Sequence, residues 1–366
     1  MRKLGISIYP EKSDKQEVLD YIKKMSEMGF SRIFSCLLSV TKAKEEIINE
    51  FKEINTFAKE HGYEVILDVS PRVFNDFGIS YNDLSFFHEL NADGIRLDLG
   101  FSGSEESIMT FNPYGLKVEL NMSQNTHYLD TVMDYQPNQY KLIGCHNFYP
   151  HNYSGLSLEH FNKCTERFKK YGLNTSAFVT SQNQDTFGPW PVTEGLPTLE
   201  SHRNLPVDIQ MKHYIAMGQI DNIIISNCYP SPDELEKISK VNLNLVNLSV
   251  CLEPDITETE KKIILEELHF NRGDISGNLI RSTQPRVKYK GETFQVHNAP
   301  EILKRGDIII ESSEYGHYAG ELQIVVNEMK NSGKSNVAGH ICKQEVFLID
   351  CIKPWQKFVF TEDEAK

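Results

Sequence analysis

The sequence is short of positive charge. It holds 38 Lys and Arg against 51 Asp and Glu, a formal net charge of −13, which excludes a broad basic face for nucleic acid or an anionic membrane. A local basic pocket is compatible with that balance. Long apolar runs are absent as well: nowhere do the roughly 18 residues needed to span a bilayer run together. The first apolar stretch is closed at once by Pro10, Glu11 and Lys12, so no signal peptide is expected, and the chain reads as cytoplasmic with no membrane partner.

Cysteine patterning is missing too. Seven cysteines (36, 145, 164, 228, 251, 342, 351) are scattered, odd in number and without a CxxC pair, so buried free thiols in a reducing compartment are expected, and no metal site. No G-x-G-x-x-G follows a candidate strand, which removes a dinucleotide-binding fold. No cofactor is expected. With 22 Gly and 15 Pro in 366 residues the chain is far from low-complexity composition. Its length suits two domains, or one barrel with an appendage.

What is present is one recurring unit: a helical pattern, a stop at Gly or Asn-Ala-Asp, then a short apolar run. Glu27-Met28-Gly29 precedes Arg32-Ile33-Phe34-Ser35-Cys36, and His61-Gly62 precedes Glu64-Val65-Ile66-Leu67-Asp68. Tyr171-Gly172 precedes Ala177-Phe178-Val179, and Met217-Gly218 precedes Asn222-Ile223-Ile224-Ile225. A Gly after a helix supplies its left-handed cap, and the β-branched run that follows has strand length. Between such runs the helices are amphipathic, as with Ile48, Phe51, Ile54 and Ala58 opposite Lys52, Glu53 and Lys59. Strand starts are expected near Leu4, Arg32, Tyr63, Gly94, Gly115, Tyr140, Asn174 and Asn222. Eight strands alternating with helices predict an α/β fold, a (β/α)8 TIM barrel, over residues 1–240. Beyond that the helical period fades into short runs at 306–311, 322–326 and 345–351, which predict a smaller, mostly β domain over 241–366.

Barrel enzymes place their chemistry at the carboxyl ends of the strands, and inward residues alternate with outward ones. In Ile95-Arg96-Leu97-Asp98 and Lys117-Val118-Glu119-Leu120, alternation sends Arg96, Asp98, Lys117 and Glu119 inward. The same reasoning aims Asp68 and His146 at the barrel mouth. A barrel interior can also hold charged layers that only pair, with Arg96 and Lys117 as partners for Asp98 and Glu119. Three carboxylates at an entrance are costly unless paired or used. Two chemistries fit them: glycoside hydrolysis by a carboxylate pair, or a divalent metal held by Asp68, Asp98, Glu119 and His146 in a sugar-phosphate isomerase or epimerase. The long loop 180–206 carries Trp190, suited to stacking on a sugar face or to anchoring the loop, and a loop of that length suits a lid or binding loop. Two acids open the helix at Pro232 and would repel a phosphate there, so Arg72, Arg203 and Lys117 are the anion candidates. The segment Tyr315-Gly316-His317-Tyr318 is a candidate loop over the mouth, or a plain turn.

Several segments together resemble one bacterial family. They are Leu4-Gly5-Ile6-Ser7-Ile8-Tyr9-Pro10, Gly94-Ile95-Arg96-Leu97-Asp98 and Leu142-Ile143-Gly144-Cys145-His146-Asn147-Phe148-Tyr149-Pro150. Gly188-Pro189-Trp190-Pro191 through Glu194-Gly195-Leu196-Pro197 and Tyr315-Gly316-His317-Tyr318-Ala319-Gly320-Glu321 complete the set. The family is that of the 6-phospho-N-acetylmuramidases, glycoside hydrolase family 170. The resemblance implies a TIM barrel followed by a cyclophilin-like β domain. It also implies hydrolysis of a phosphorylated amino-sugar disaccharide, 6-phospho-N-acetylmuramyl-N-acetylglucosamine, in cell-wall recycling. The roles expected here come from position. Glu119 is the general acid, because desolvation raises a carboxyl pKa, with Asp98 or Asp68 as its partner. Adjacent strands, about 4.8 Å apart, make Asp98 and Glu119 a retaining pair, while Asp68 and Glu119 suit inversion. Arg72, Lys117 and Arg203 meet the anionic groups, His146 and Asn147 meet sugar hydroxyl or acetamido groups, and Arg96, Trp190, Glu194, Tyr315 and His317 are further substrate-binding candidates. A carbohydrate-binding protein without turnover is the non-enzymatic alternative.

Overall fold

The computed structural model describes residues 2–37 and 44–363. The chain divides into two compact units, Met1–Met211 with Gln219–Lys240, and Lys212–Gly218 with Val241–Lys366.

The first unit is built on eight parallel strands: β1 (Lys3–Ile8), β2 (Phe30–Cys36), β3 (Glu64–Val69), β4 (Gly94–Leu97), β5 (Lys117–Asn121), β6 (Leu142–Cys145), β7 (Thr175–Val179) and β8 (Asn222–Ile225). Each pairs with the next, and β8 returns to β1 through Leu4↔Ile223 and Ile6↔Ile225, closing the barrel. All eight begin within two residues of the positions read from the sequence. The helices of this part of the chain are α1 (Lys15–Glu27), α2 (Lys44–Glu60), α3 (Pro71–Phe77), α4 (Ser85–Glu89), α5 (Ser104–Met109), α6 (Tyr128–Asp134), α7 (Leu158–Lys170), α8 (Val207–Met217) and α9 (Pro232–Ser239). Local chemistry sets their limits. Asp14 caps α1 by accepting from the Gln16 amide at 2.8 Å, and one apolar stripe, Val18, Tyr21, Ile22 and Met25, is buried. Ser231 and Glu234 form a capping box at α9. Among the described residues no helix is long and apolar enough to cross a membrane.

One glycine is fixed by close approach. A Cβ on Gly94 would lie 2.7 Å from the Lys117 carbonyl oxygen and 2.8 Å from Ile66 Cδ1, so β4 fits between β3 and β5 only without a side chain there.

The second unit is a seven-stranded sheet ordered β10-β17-β9-β16-β13-β14-β11 with a separate β12-β15 pair. Its strands are β9 (Val246–Leu252), β10 (His269–Phe270), β11 (Leu279–Ser282), β12 (Ile302–Leu303), β13 (Asp307–Glu311), β14 (Leu322–Val325), β15 (Met329–Lys330), β16 (Ser335–Ile341) and β17 (Lys357–Glu362), with helices α10 (Glu258–Glu266) and α11 (Gln284–Lys288). Leu248, Val250, Ile263, Ile308, Ile324 and Phe358 belong to its core. The runs expected at 306–311 and 322–326 are strands β13 and β14. The run at 345–351 is not: Val346–Cys351 forms 3₁₀ turns. Glu345 causes the difference. Its amide donates to the Cys342 carbonyl at 2.8 Å, and its carboxylate accepts from the Ser249 amide at 2.7 Å, which folds the chain back before a strand can start. Leu348 and Ile349 are buried from a turn as well as from a strand; a short apolar run does not distinguish the two.

Gly94→Ala should cost about 1–3 kcal/mol through overpacking, measured as a lower urea midpoint at unchanged slope. An unchanged midpoint would mean that the strands have room to part.

Candidate active site

The barrel interior holds charged layers stacked along its axis. At the amino-terminal end, Glu64 of β3 meets Lys3 at 3.2 Å, Arg32 at 3.7 Å, and Lys117. Burial pushes the Glu64 carboxyl up, but Arg32, Lys117 and Lys3 outweigh it and hold it at about 2. The middle layer is Arg32 of β2 against Glu119 of β5. These strands are not neighbours in the sheet, so the contact crosses the interior, and the residues are 1% and 0% exposed. Ser176 Oγ donates to Glu119 at 3.3 Å and Asn222 Nδ2 donates to Ser176 at 3.1 Å.

The third layer lies at the carboxyl ends. Arg96 Nη1 is 2.5 Å from Asp68 Oδ1 and 3.4 Å from Asp98 Oδ1, and its Nη2 donates to Asn147 Oδ1. Two oxygens sharing one nitrogen at 2.5 and 3.4 Å are less than about 6 Å apart. The supports are backbone and loop groups. Asp98 N donates to the Val69 carbonyl at 2.9 Å, and Asn121 Nδ2 donates to the Asp98 carbonyl at 2.9 Å. Asn147 N donates to Ser123 Oγ at 2.8 Å, while its carbonyl accepts from Thr198 Oγ1 at 2.8 Å, which ties the long loop to the site. The two carboxylates differ in environment. Asp68 is buried, and burial pushes its carboxyl up to about 6; Arg96 opposes this, whereas the charges of Asp98 and Glu119 add to it. The Asp98 side chain keeps 33% of its surface exposed. Beside it is a cavity of about 170 Å³ lined by Asp98, Asn121, Gln124, Thr126, Tyr128 and Arg167 among others.

Several sequence expectations change here. Glu119 is sealed in the middle layer against Arg32, and its register partner is Arg96, not Asp98. Asp68 and Asp98 share Arg96, whereas Glu119 pairs with Arg32. Lys117 starts β5 at the far end from the mouth and pairs with Glu64, so it meets no ligand at the mouth. His146 points away from the interior: its ring stacks on Phe161 of α7 at 4.3 Å, and Nε2 bonds Thr165 Oγ1 at 2.9 Å. Burial, with Arg96 and His160 acting in the same sense, holds it neutral at about 3. The inward parity of β6 falls on Cys145 and Asn147 because Gly144, like His146, faces α7: a Cβ there would strike Phe168. The metal donor set of Asp68, Asp98, Glu119 and His146 does not converge. Arg203 is a strut of the long loop, with Nε and Nη2 on Glu200 at 2.7 and 2.6 Å and Nη1 on the carbonyls of Tyr149 and Glu194 at 3.0 and 2.9 Å.

The remaining candidates are more open. Arg72, at the start of α3 just beyond Asp68, has an 85% exposed side chain and a 3.2 Å surface pair with Asp76. Trp190 is 40% exposed. Exposed Glu194 accepts from the Asn152 amide at 2.7 Å. In the second unit, the Tyr315 hydroxyl is 2.7 Å from Ser332 Oγ and His317 is exposed. Sequence reasoning missed Arg32 and Arg167. The alternation of Phe30, Arg32, Phe34 and Cys36 on one face of β2 carries the signal for Arg32; Arg167 sits on an amphipathic helix among other cations and carries none.

A closed parallel barrel with Asp68 and Asp98 at the carboxyl ends of adjacent strands carries charged groups where barrel enzymes place their chemistry. The chain belongs to the 6-phospho-N-acetylmuramidase family: the family's N-terminal model matches residues 4–240 and its C-terminal model residues 246–361. Among solved structures, an uncharacterized B. cereus protein is 48% identical, with 99% of both chains covered and a TM-score of 0.90. A conserved Enterococcus faecalis protein of unknown function shares the fold at 24% identity, covering 99% of this chain and 97% of that one, with a TM-score of 0.70. No curated protein matches the chain.

Removing Glu119 leaves the buried Arg32 with only the more distant Glu64 carboxylate, at 3.7 Å. Glu119→Gln is expected to cost about 3–5 kcal/mol, and pairing Arg32→Met with Glu119→Leu should recover most of it. Urea unfolding of the three proteins checks this; a Glu119→Gln variant as stable as the parent would contradict the structural role.

Proposed function

We propose that this chain hydrolyses 6-phospho-N-acetylmuramyl-N-acetylglucosamine to N-acetylmuramic acid 6-phosphate and N-acetylglucosamine, in the cytoplasm, during recycling of cell-wall fragments. The observation that carries the chemistry is the sharing of one Arg96 nitrogen by Asp68 and Asp98. That sharing keeps their nearest oxygens less than about 6 Å apart, below the roughly 6.5–9.5 Å of an inverting pair and so in favour of retention.

The roles follow from environment. Asp68, raised to about 6 by burial, holds a proton in the acid range and donates it to the glycosidic oxygen as the bond to N-acetylglucosamine breaks. Asp98, partly open, attacks the anomeric carbon and forms a glycosyl ester. Asp68, now a carboxylate beside Arg96, takes a proton from water as that water opens the ester, and the pair returns to its starting state. Arg96 keeps both carboxylates in register and stabilises the Asp68 charge left after proton transfer. The substrate's phosphate and lactyl carboxylate need cations against the −13 of the protein. Arg167, in the cavity beside Asp98, and Arg72, beyond β3, are suited to that role.

Asp68→Asn and Asp98→Asn should each lower kcat by about 10²–10⁴ with the fold retained. Proton NMR of the first-formed sugar phosphate should show the anomeric configuration of the substrate; initial inversion would remove the nucleophile role of Asp98.

The acid must be protonated to act, so kcat/KM should fall as pH rises above about 6, the value to which burial pushes Asp68. A pH profile of the parent enzyme checks this, and a plateau extending well above neutrality would contradict the assignment.

A further inference from the structure

We propose that Cys251, Cys342 and Asp363, in the second unit, form a binding site for a thiophilic divalent cation such as zinc. No part of this rests on the glycosidase reading.

The three residues come from the ends of three adjacent strands, β9, β16 and β17, whose order in the sheet is β17-β9-β16. Backbone pairing fixes each of them. Cys251 lies opposite His340 in the β9–β16 register, Cys342 N donates to the Ser249 carbonyl at 2.9 Å, and Asp363 N donates to the Val250 carbonyl at 2.9 Å. The sheet thus brings together ligands that are far apart in sequence, which is why no CxxC-type spacing announces them.

The separations suit a tetrahedral ion. The two Sγ atoms are 3.7 Å apart, Cys342 Sγ is 3.2 Å from Asp363 Oδ2, and the ligand atoms of all three residues lie within 4.8 Å of one another. Zinc bonds of about 2.3 Å to sulfur and 2.0 Å to oxygen at tetrahedral angles put two sulfurs about 3.8 Å apart, and a sulfur and an oxygen about 3.5 Å apart. Among the described residues this is the group of His, Cys, Asp and Glu whose ligand atoms converge. Four of the other cysteines are buried, whereas Cys251 is exposed and Cys342 half-buried, leaving a path of entry.

The donor set chooses the ion. Two sulfurs with one carboxylate select zinc, cadmium or cobalt over magnesium and calcium. Three protein ligands leave a fourth position for water. A bound ion holds its cysteine ligands as thiolates, and because thiol protons are released on binding, affinity should rise with pH. Asp363 directly follows β17, so the ion would clip the end of that strand to β9 and β16 and stabilise the second unit.

The test is titration of the full chain with Co(II) after reduction by a phosphine. One equivalent should produce thiolate-to-cobalt charge-transfer absorption and tetrahedral d–d bands, both removed by Zn(II). The Cys251→Ser/Cys342→Ser double variant should lose the bands and bind at least about 100-fold more weakly, since even second-shell changes cost 10–100-fold. Cys351→Ser should be unchanged. Zn(II) should raise the thermal midpoint of the parent and not of the double variant. If that variant fails to fold, Asp363→Ala, at a strand end, carries the comparison with an expected loss of about 10–100-fold. The proposal is overturned if the reduced parent shows no charge-transfer bands with excess Co(II), or if either ligand variant binds as tightly as the parent.

Discussion

Closing eight strands into a barrel leaves little water inside to solvate a charge, so a buried inward carboxylate must be held by a cation. That constraint orders the interior. Glu64 takes Lys3, Arg32 and Lys117, Glu119 takes Arg32, and Asp68 takes Arg96. The layers differ in what they leave over. The lower two pair carboxylate with cation away from the entrance. In the upper one Arg96 is divided between two aspartates and Asn147, and Asp98, the aspartate held at the longer distance, stays partly exposed. The proposed chemistry occupies the layer that keeps a carboxylate partly exposed.

The protein's surface charge and its ligand have the same sign. The anionic substrate proposed here approaches a chain of net charge −13, so recognition falls to a few local cations. Most of the arginines and lysines near the barrel are already committed: Arg203 braces the long loop, and Lys117 and Arg32 neutralise the interior. Arg167 lines the cavity beside the mouth while bonded to Asn125 at 2.7 Å and Asp130 at 3.3 Å, and Arg72 is exposed just beyond β3. The resulting division of labour is physical. The guanidiniums of Arg32 and Arg203, which brace the fold, are buried, whereas those of Arg72 and Arg167 keep surface.

The fold was legible because barrel strands are β-branched runs punctuated by glycine, and each one repeats the signal. The site was legible only in part. Alternation identified Asp68, Arg96, Asp98 and Glu119 as inward, but depth along the barrel axis is set by strand stagger, which a single strand's pattern does not contain. Glu119 and Lys117 were therefore placed too near the mouth. His146 failed for a related reason: the parity of β6 depends on Gly144, which has no side chain to mark its face. The Glu345–Cys351 run failed because a distant backbone amide, that of Ser249, captures Glu345. Cys251, Cys342 and Asp363 are separated by most of the second unit and meet only through sheet pairing.

The central claim is that Asp98 becomes covalently attached to the sugar while Asp68 handles the proton. Mass spectrometry of the enzyme quenched during turnover of a slow, fluorinated analogue of the phosphorylated disaccharide tests it most directly. The account predicts one sugar-phosphate adduct per chain on the peptide containing Asp98, absent in Asp98→Asn. An adduct on any other carboxylate, or steady turnover with no adduct and inverted product, would contradict it.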